Sequence, residues 1–273
     1  MATCNMLHAA ETFPSDIRMT DAIIEAIKAG TIHSGNISFD RVRALAARDH
    51  DRWHELGRGR TILGTYEQLD QYLYRYGPMT KSQWGQFLGG VRIPPGRLRV
   101  VDYGCGQGLA CALLLDHFGN DIIERIDETV LIEPSTIALA RAKSIILCYC
   151  ETSRVVDLST KLDELMPELL NPSSNQSTIH LMSNVLDIND FDYGSLFSKM
   201  FQAKGHHSVL AVSHDRNFDG GSARFHDIKN QISDPRWRGE LSISFSEINQ
   251  YKCSNGQPAI SWQLHLEILD GPL

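Results

Sequence analysis

The chain has 273 residues and a net charge of −7, with 42% of its residues hydrophobic and 22% charged. That length suffices for a complete α/β core, and the acidic balance argues against a protein that coats nucleic acid non-specifically. No apolar run approaches the length of a membrane span, and Met1 to Ser15 lacks a basic segment followed by an apolar core, so a cytoplasmic protein without membrane contact is expected.

The first ninety or so residues read as helical. Ser15-Asp16 predicts the start of a helix running through Ala29, with Gly30 as its stop. A second, from about 38 to 56, places Val42, Leu45, Ala46, Trp53 and Leu56 on one side. After a loop over 57 to 64, Leu69, Tyr72, Leu73 and Tyr76 recur at helical spacing, and Gly77-Pro78 predicts a break before a short fourth helix over 79 to 88. Tyr72, Tyr74, Tyr76, Trp84 and Phe87 cluster around that break, which fits simple helix packing and also an aromatic cap. Residues 40 to 99 carry eleven Lys and Arg against six Asp and Glu, a local excess that reads either as a solvated helical surface or as a face for phosphates. Pro94-Pro95-Gly96 forms a hinge, so 1–90 is expected to be a helical extension and 91–273 an α/β domain.

Val100-Val101-Asp102-Tyr103-Gly104-Cys105-Gly106-Gln107-Gly108, followed by the apolar stretch Leu109 to Leu115, reads as a buried strand, a glycine turn and a helix start. A dinucleotide site wants G-x-G-x-x-G, and Leu109 stands where the third glycine would be, which disfavours an NAD-dependent oxidoreductase. A second signal follows in Thr129-Val130-Leu131-Ile132-Glu133-Pro134-Ser135. Its apolar run ends in a carboxylate, which at the end of a second parallel strand can accept both hydrogen bonds of a ribose diol. The acidic-x-G-x-G-x-G pattern, together with Glu133 at this interval, resembles the first motifs of the class I S-adenosylmethionine (SAM)-dependent methyltransferases.

Further along, spacing predicts strand 98 to 103, helix 108 to 118, strand 129 to 133, helix 135 to 147, a weak strand 153 to 158 and helix 161 to 170. A polar loop precedes strand 178 to 184, helix 192 to 203, strand 207 to 213 and helix 222 to 232. Leu241 to Phe245 and Ile260 to Leu266 alternate at period two around an Asn255-Gly256 turn signal. The expected fold is a mostly parallel seven-stranded α/β sheet with a C-terminal antiparallel hairpin and helices on both faces, again as in class I methyltransferases.

The resemblance implies SAM as cofactor. It implies that Asp102 holds the cofactor's amino end, that Gly104, Cys105, Gly106 and Gly108 form the loop along its tail, and that Glu133 takes the ribose hydroxyls. Pro134 and Ser135 would border the adenine, and Asp157 would accept from its amino group. Ser183 and Asn184 fall where the family places its substrate-facing motif, but the Ser-Asn-Val-Leu-Asp found here departs from the Asn/Asp-Pro-Pro-aromatic of base amine methyltransferases. Asn184, Asp187 and His214 are the candidate catalytic residues, His214 as a base near neutral pKa, and Tyr76 and Trp84 are candidate substrate contacts. The adjacent His206 and His207 precede their strand and are expected at the opposite edge of the sheet. Six cysteines include no C-x-x-C pair, so reduced thiols and no metal site are expected. A small molecule or protein acceptor fits better than nucleic acid, and a catalytically silent SAM-binding scaffold is the alternative reading.

Overall fold

The computed structural model describes residues 20–47, 52–170, 176–188, 191–217, 221–233 and 241–269. Three helices and a 3-10 turn come first: α1 (Ala22–Lys28), α2 (Phe39–Ala44), the 3-10 turn Trp53–Gly59, and α3 (Tyr66–Leu88). The three helices each start at a side-chain cap, from Asp21, Ser38 and Thr65 respectively. Then come β1 (Leu98–Tyr103), α4 (Leu109–Phe118), the short α5 (Asn120–Ile123), β2 (Ile126–Ile132), α6 (Thr136–Tyr149) and β3 (Arg154–Leu158). The chain continues through β4 (Ser177–Ser183), α7 (Tyr193–Met200), β5 (Gly205–His214), α8 (Ala223–Ile232), β6 (Leu241–Lys252) and β7 (Pro258–Ile268).

The seven strands form one sheet in the order β3-β2-β1-β4-β5-β7-β6. Strands β1 to β5 pair in parallel, β7 runs antiparallel to β5, and β6 closes the edge as its hairpin partner. All six residues of β1 are buried, as a central parallel strand covered by helices on both faces requires. Alternate residues feed two cores. Val100, Leu131, Leu181 and Val212 pack with Leu114 and Ile146, while Val101, Val130, Met182 and Ala211 pack with Phe197, Met200 and Phe225. The N-terminal helices sit on the first of these faces, where Ile23, Phe39 and Trp84 join the same core as the sheet residues.

The sequence pattern and the structure part company in three places. The expected break at Gly77-Pro78 does not occur, and α3 runs unbroken for 23 residues. Pro78 has no N–H to give the Tyr74 carbonyl, and the guanidinium of Arg43 supplies the missing donor at 3.3 Å. Gly77 lets α2 cross closely, since a Cβ there would meet Leu73, Arg43 and Phe39 at 3.3 to 3.4 Å. The expected helix over 38 to 56 ends at Ala44, and Trp53 lies 54% exposed beneath the guanidinium of Arg75 instead of on a buried side. The expected helix over 161 to 170 is two 3-10 turns, Leu162–Glu164 and Pro167–Leu170. Leu165 between them is extended (ψ 128°), and Pro167 disfavours a helical Met166. Residues 15–19, where the first helix was expected to begin, lie outside the described residues; α1 itself begins at Ala22.

Candidate functional site

A cavity of about 400 Å³ opens at the carboxyl ends of the parallel strands. The loops after β1 and β2 supply Gly104, Gly106, Gln107, Glu133 and Pro134, and the end of β4 supplies Ser183 and Asn184. The far wall comes from the helical segment, as residues 59–63 and Tyr72. Open α/β sheets bind ligands at this edge, where helix N-termini and turn amides converge.

The turn after β1 is left-handed at Gly104, Gly106 and Gly108, which side-chain-bearing residues rarely tolerate. Two of these glycines have different purposes. A Cβ on Gly106 meets nothing within 4 Å, so a side chain there would project into the cavity. A Cβ on Gly108 would press on Ala142 at 3.1 Å, so this glycine serves the close crossing of α4 and α6 behind the wall. Cys105 is likewise buried, off the cavity lining.

Glu133 bridges the two loops. One carboxylate oxygen accepts from the Gly106 N–H at 3.1 Å and the other from the Ser135 N–H at 3.0 Å. Burial raises its pKa against the pull of these two backbone donors, and each oxygen, having accepted one hydrogen bond, keeps a lone pair for another donor. Ser135 caps α6 through the Ala138 N–H and donates its own hydroxyl to the Leu63 carbonyl at 2.5 Å, which pins the rim of the far wall.

The remaining candidates divide by position. Asp102 is fully buried and does not line the cavity; among the described residues neither of its oxygens has a hydrogen-bond partner of good geometry. Burial pushes it up to about 8, against the pull of the Cys111 backbone N–H and with a smaller push from Glu133. Asp157 also lies off the cavity, in an exposed ion pair with Lys143 at 2.6 Å; past the end of β3 it is Lys161, Leu162 and Asp163 that form the wall. Trp84 is fully buried, with its indole N–H on the Ser183 hydroxyl at 3.0 Å, so it shapes the end of β4 and presents no face to a substrate. Asn184 holds a left-handed backbone (φ 55°) and exchanges two side-chain hydrogen bonds with Gln83 on α3.

Asn184, Asp187, His214 and Tyr76 do come together. With Tyr72, Met79, Arg60 and Arg216 they line a recess of about 60 Å³ that shares Gly59, Arg60, Tyr72, Asn184 and Ile188 with the large cavity. Asp187 is buried and pairs with Arg216 at 3.1 Å. Burial lowers the pKa of His214, Asp187 opposes that lowering and Arg216 reinforces it, so the imidazole is neutral near pH 7. Tyr72 and Tyr76 lie with ring centroids 5.0 Å apart, and burial pushes the Tyr72 hydroxyl up to about 12. His207 sits at the opposite edge, hydrogen-bonded to His180, and with His206 lines a separate cavity.

Behind the site lies a buried hub that the motifs did not announce. The guanidinium of Arg141 on α6 donates to Asp21 at 2.6 Å, to Asp70 at 2.8 Å and to the Gln107 side chain at 2.7 Å. Gln107 in turn donates to the Leu69 carbonyl at 2.9 Å. The glycine loop is thereby tied to α1, α3 and α6 at once. Among the described residues no group of three His, Cys, Asp or Glu side chains is placed to hold a metal ion, and no helix is long and apolar enough to cross a membrane.

No family model matches the chain, and no curated protein does. Among solved structures, a SAM-dependent methyltransferase from Leishmania major is similar over 83% of this chain and 91% of its own, at 16% identity and a TM-score of 0.45. A SAM-dependent methyltransferase from Aquifex aeolicus is similar over 69% of this chain and 92% of its own (10% identity, TM-score 0.45). An rRNA methylase from Streptococcus thermophilus is similar over 72% and 98% (12% identity, TM-score 0.41). The strand order, five parallel strands closed by an antiparallel hairpin, is that of an open mixed α/β sheet.

Proposed function

We propose that the chain is a SAM-dependent methyltransferase, with the helical segment up to about residue 90 capping the cofactor cavity. The observation that carries this reading is the joint wall made by Gly106 and Glu133, a side-chain-free turn hydrogen-bonded to a strand-end carboxylate at the carboxyl edge of the sheet. The residues fit the group. The carboxylate keeps acceptors for a ribose diol, Gly104 and Gly106 leave room for an amino acid tail, and Pro134 and Leu162 offer apolar contact for a base. When bound, SAM supplies a methyl group activated by a sulfonium. The chain's own part is to orient the cofactor through Gly106 and Glu133, to exclude water with the 59–63 rim and Tyr72, and to bring an acceptor in through the adjoining recess. A small molecule or a protein side chain is the acceptor class this reading favours.

Calorimetric titration with SAM and S-adenosylhomocysteine, with NAD as control, tests the assignment. Saturable binding of the first two and none of NAD is expected. Gly106→Val is expected to abolish that binding, because its side chain enters the cavity and a β-branched residue strains the left-handed turn (φ 52°) that lines it, while the sheet beyond the turn keeps its far-ultraviolet circular dichroism. Glu133→Ala is expected to weaken SAM binding by about 1 to 3 kcal/mol, the range for removing a charged hydrogen-bond acceptor. Unchanged affinity in Glu133→Ala would mean that the cofactor lies elsewhere, and preference for NAD would overturn the reading.

A further inference from the structure

We propose that the recess beside the cavity receives an amine, and that this amine is the methyl acceptor; the inference rests on the methyltransferase reading of the adjoining cavity. Its starting point is an unspent acceptor. Asp187 is 3% exposed, one of its oxygens is held by Arg216, and the other, Oδ1, is buried without a hydrogen-bond partner among the described residues. A buried acceptor left unsatisfied costs about 1 to 3 kcal/mol, so a site that keeps one open is complete only with a donor in place. His214 lines the same recess and is neutral near pH 7, so one of its ring nitrogens is a second acceptor.

Two acceptors on residues that line one small space select the donor. A hydroxyl has a single hydrogen and satisfies only one of them, whereas an amino group carries at least two and satisfies both. A carboxylate or phosphate has no hydrogen to give and would face Asp187 Oδ1 directly. The Asp187 charge, which alone would favour the ammonium, is offset by Arg216 in its ion pair and by Arg60 on the same wall, and only the uncharged amine has the lone pair that attack requires. The Tyr72 and Tyr76 rings flank the nitrogen and suit the cationic product.

The step balances without a further reactant. The amine lone pair forms the N–C bond as the S–C bond breaks, and that bond's electron pair stays on sulfur. The methylated nitrogen, now positively charged, keeps its hydrogens on His214 and Asp187 and leaves the recess as the ammonium, whose proton passes to bulk water. His214 and Asp187 thus orient the nucleophile by accepting its two hydrogens.

Three probes of equal chain length test this on the full chain: butylamine, 1-butanol and butyrate, each followed through the ring resonances of His214, which a His214→Asn spectrum identifies. Butylamine is expected to shift those resonances saturably, and butanol and butyrate are not. Asp187→Asn is expected to weaken the amine at least tenfold. Because that variant disturbs the Arg216 pair and its fold is at risk, the ranking of the three probes on the unmodified chain stands as an independent test. Butanol or butyrate binding as well as butylamine, absence of a butylamine shift at 100 mM, or equal amine binding in a folded Asp187→Asn would each overturn the proposal. The probes need no cofactor, so failure here with intact SAM binding sinks the acceptor assignment alone, and failure of SAM titration sinks the cofactor reading.

Discussion

Arg141→Met is expected to lower the unfolding free energy by about 3 to 5 kcal/mol, the range for removing one partner of a buried ion pair. The guanidinium is fully buried and meets two carboxylates, Asp21 and Asp70, that are themselves 3% and 1% exposed. Methionine fills much of the stem volume and leaves both charges without their counter-ion. Some compensation survives, because Asp21 still caps α1 through the Ile23 N–H and Asp70 still accepts from the Ala47 N–H. Arg141→Lys should recover only part of the loss, since an ammonium is a point charge and cannot reach three partners in the guanidinium's fork. Urea denaturation reads both variants. Neutralising the partners as well, in Arg141→Met with Asp21→Asn and Asp70→Asn, should be milder than the sum of the separate changes, because the stranded charges are gone. A loss below about 1 kcal/mol for Arg141→Met would show that water enters and satisfies the carboxylates.

The same hub marks the limit of what sequence reading reached. The sheet was legible because the central strands are runs of apolar residues between turn signals and the last two alternate at period two, and Asp102 to Gly108 with Glu133 located the edge where the cavity lies. Local pattern carries that much, since a buried parallel strand and a glycine turn are written in consecutive residues. Arg141 is written as one cation in a helix with apolar neighbours, and nothing nearby in sequence tells that its partners stand 120, 71 and 34 positions away. Gln83 was opaque for the same reason: the residue it holds, Asn184, is brought to it by tertiary packing. The Gly77-Pro78 pair misled because the donor that repairs the helix, Arg43, belongs to another element. His214, Asp187 and Asn184, chosen separately as strand-end groups, converge on one recess because β4 and β5 are neighbours and end together. Asp157 failed to reach the cavity although its strand was foreseen, because its side chain pairs outward with Lys143.

Asp102→Asn is expected to be close to neutral in acid and stabilising in alkali. In the folded chain burial pushes the Asp102 carboxyl up to about 8, whereas its ordinary value is 3.8. Between those values the folded state binds a proton that the unfolded state has released. The stability Asp102 contributes is therefore fully present below about pH 4 and is lost as pH rises to about 8. Above that, the folded chain must carry a buried carboxylate with no hydrogen-bond partner of good geometry. Asparagine has no such proton to lose. The difference between variant and parent should rise with pH across that window by up to about 6 kcal/mol, since each pH unit over which only the folded chain holds the proton contributes roughly 1.4 kcal/mol. Comparing the two chains by urea denaturation at several pH values cancels the other buried titrating groups, among them His180 and His207, which burial keeps neutral and which penalise the fold on the acid side. A pH-independent difference would show that Asp102 is already ionised in the folded chain, with a compensating donor or water against it. A difference that grows with pH would show that the folded chain keeps this buried carboxyl neutral across the physiological range.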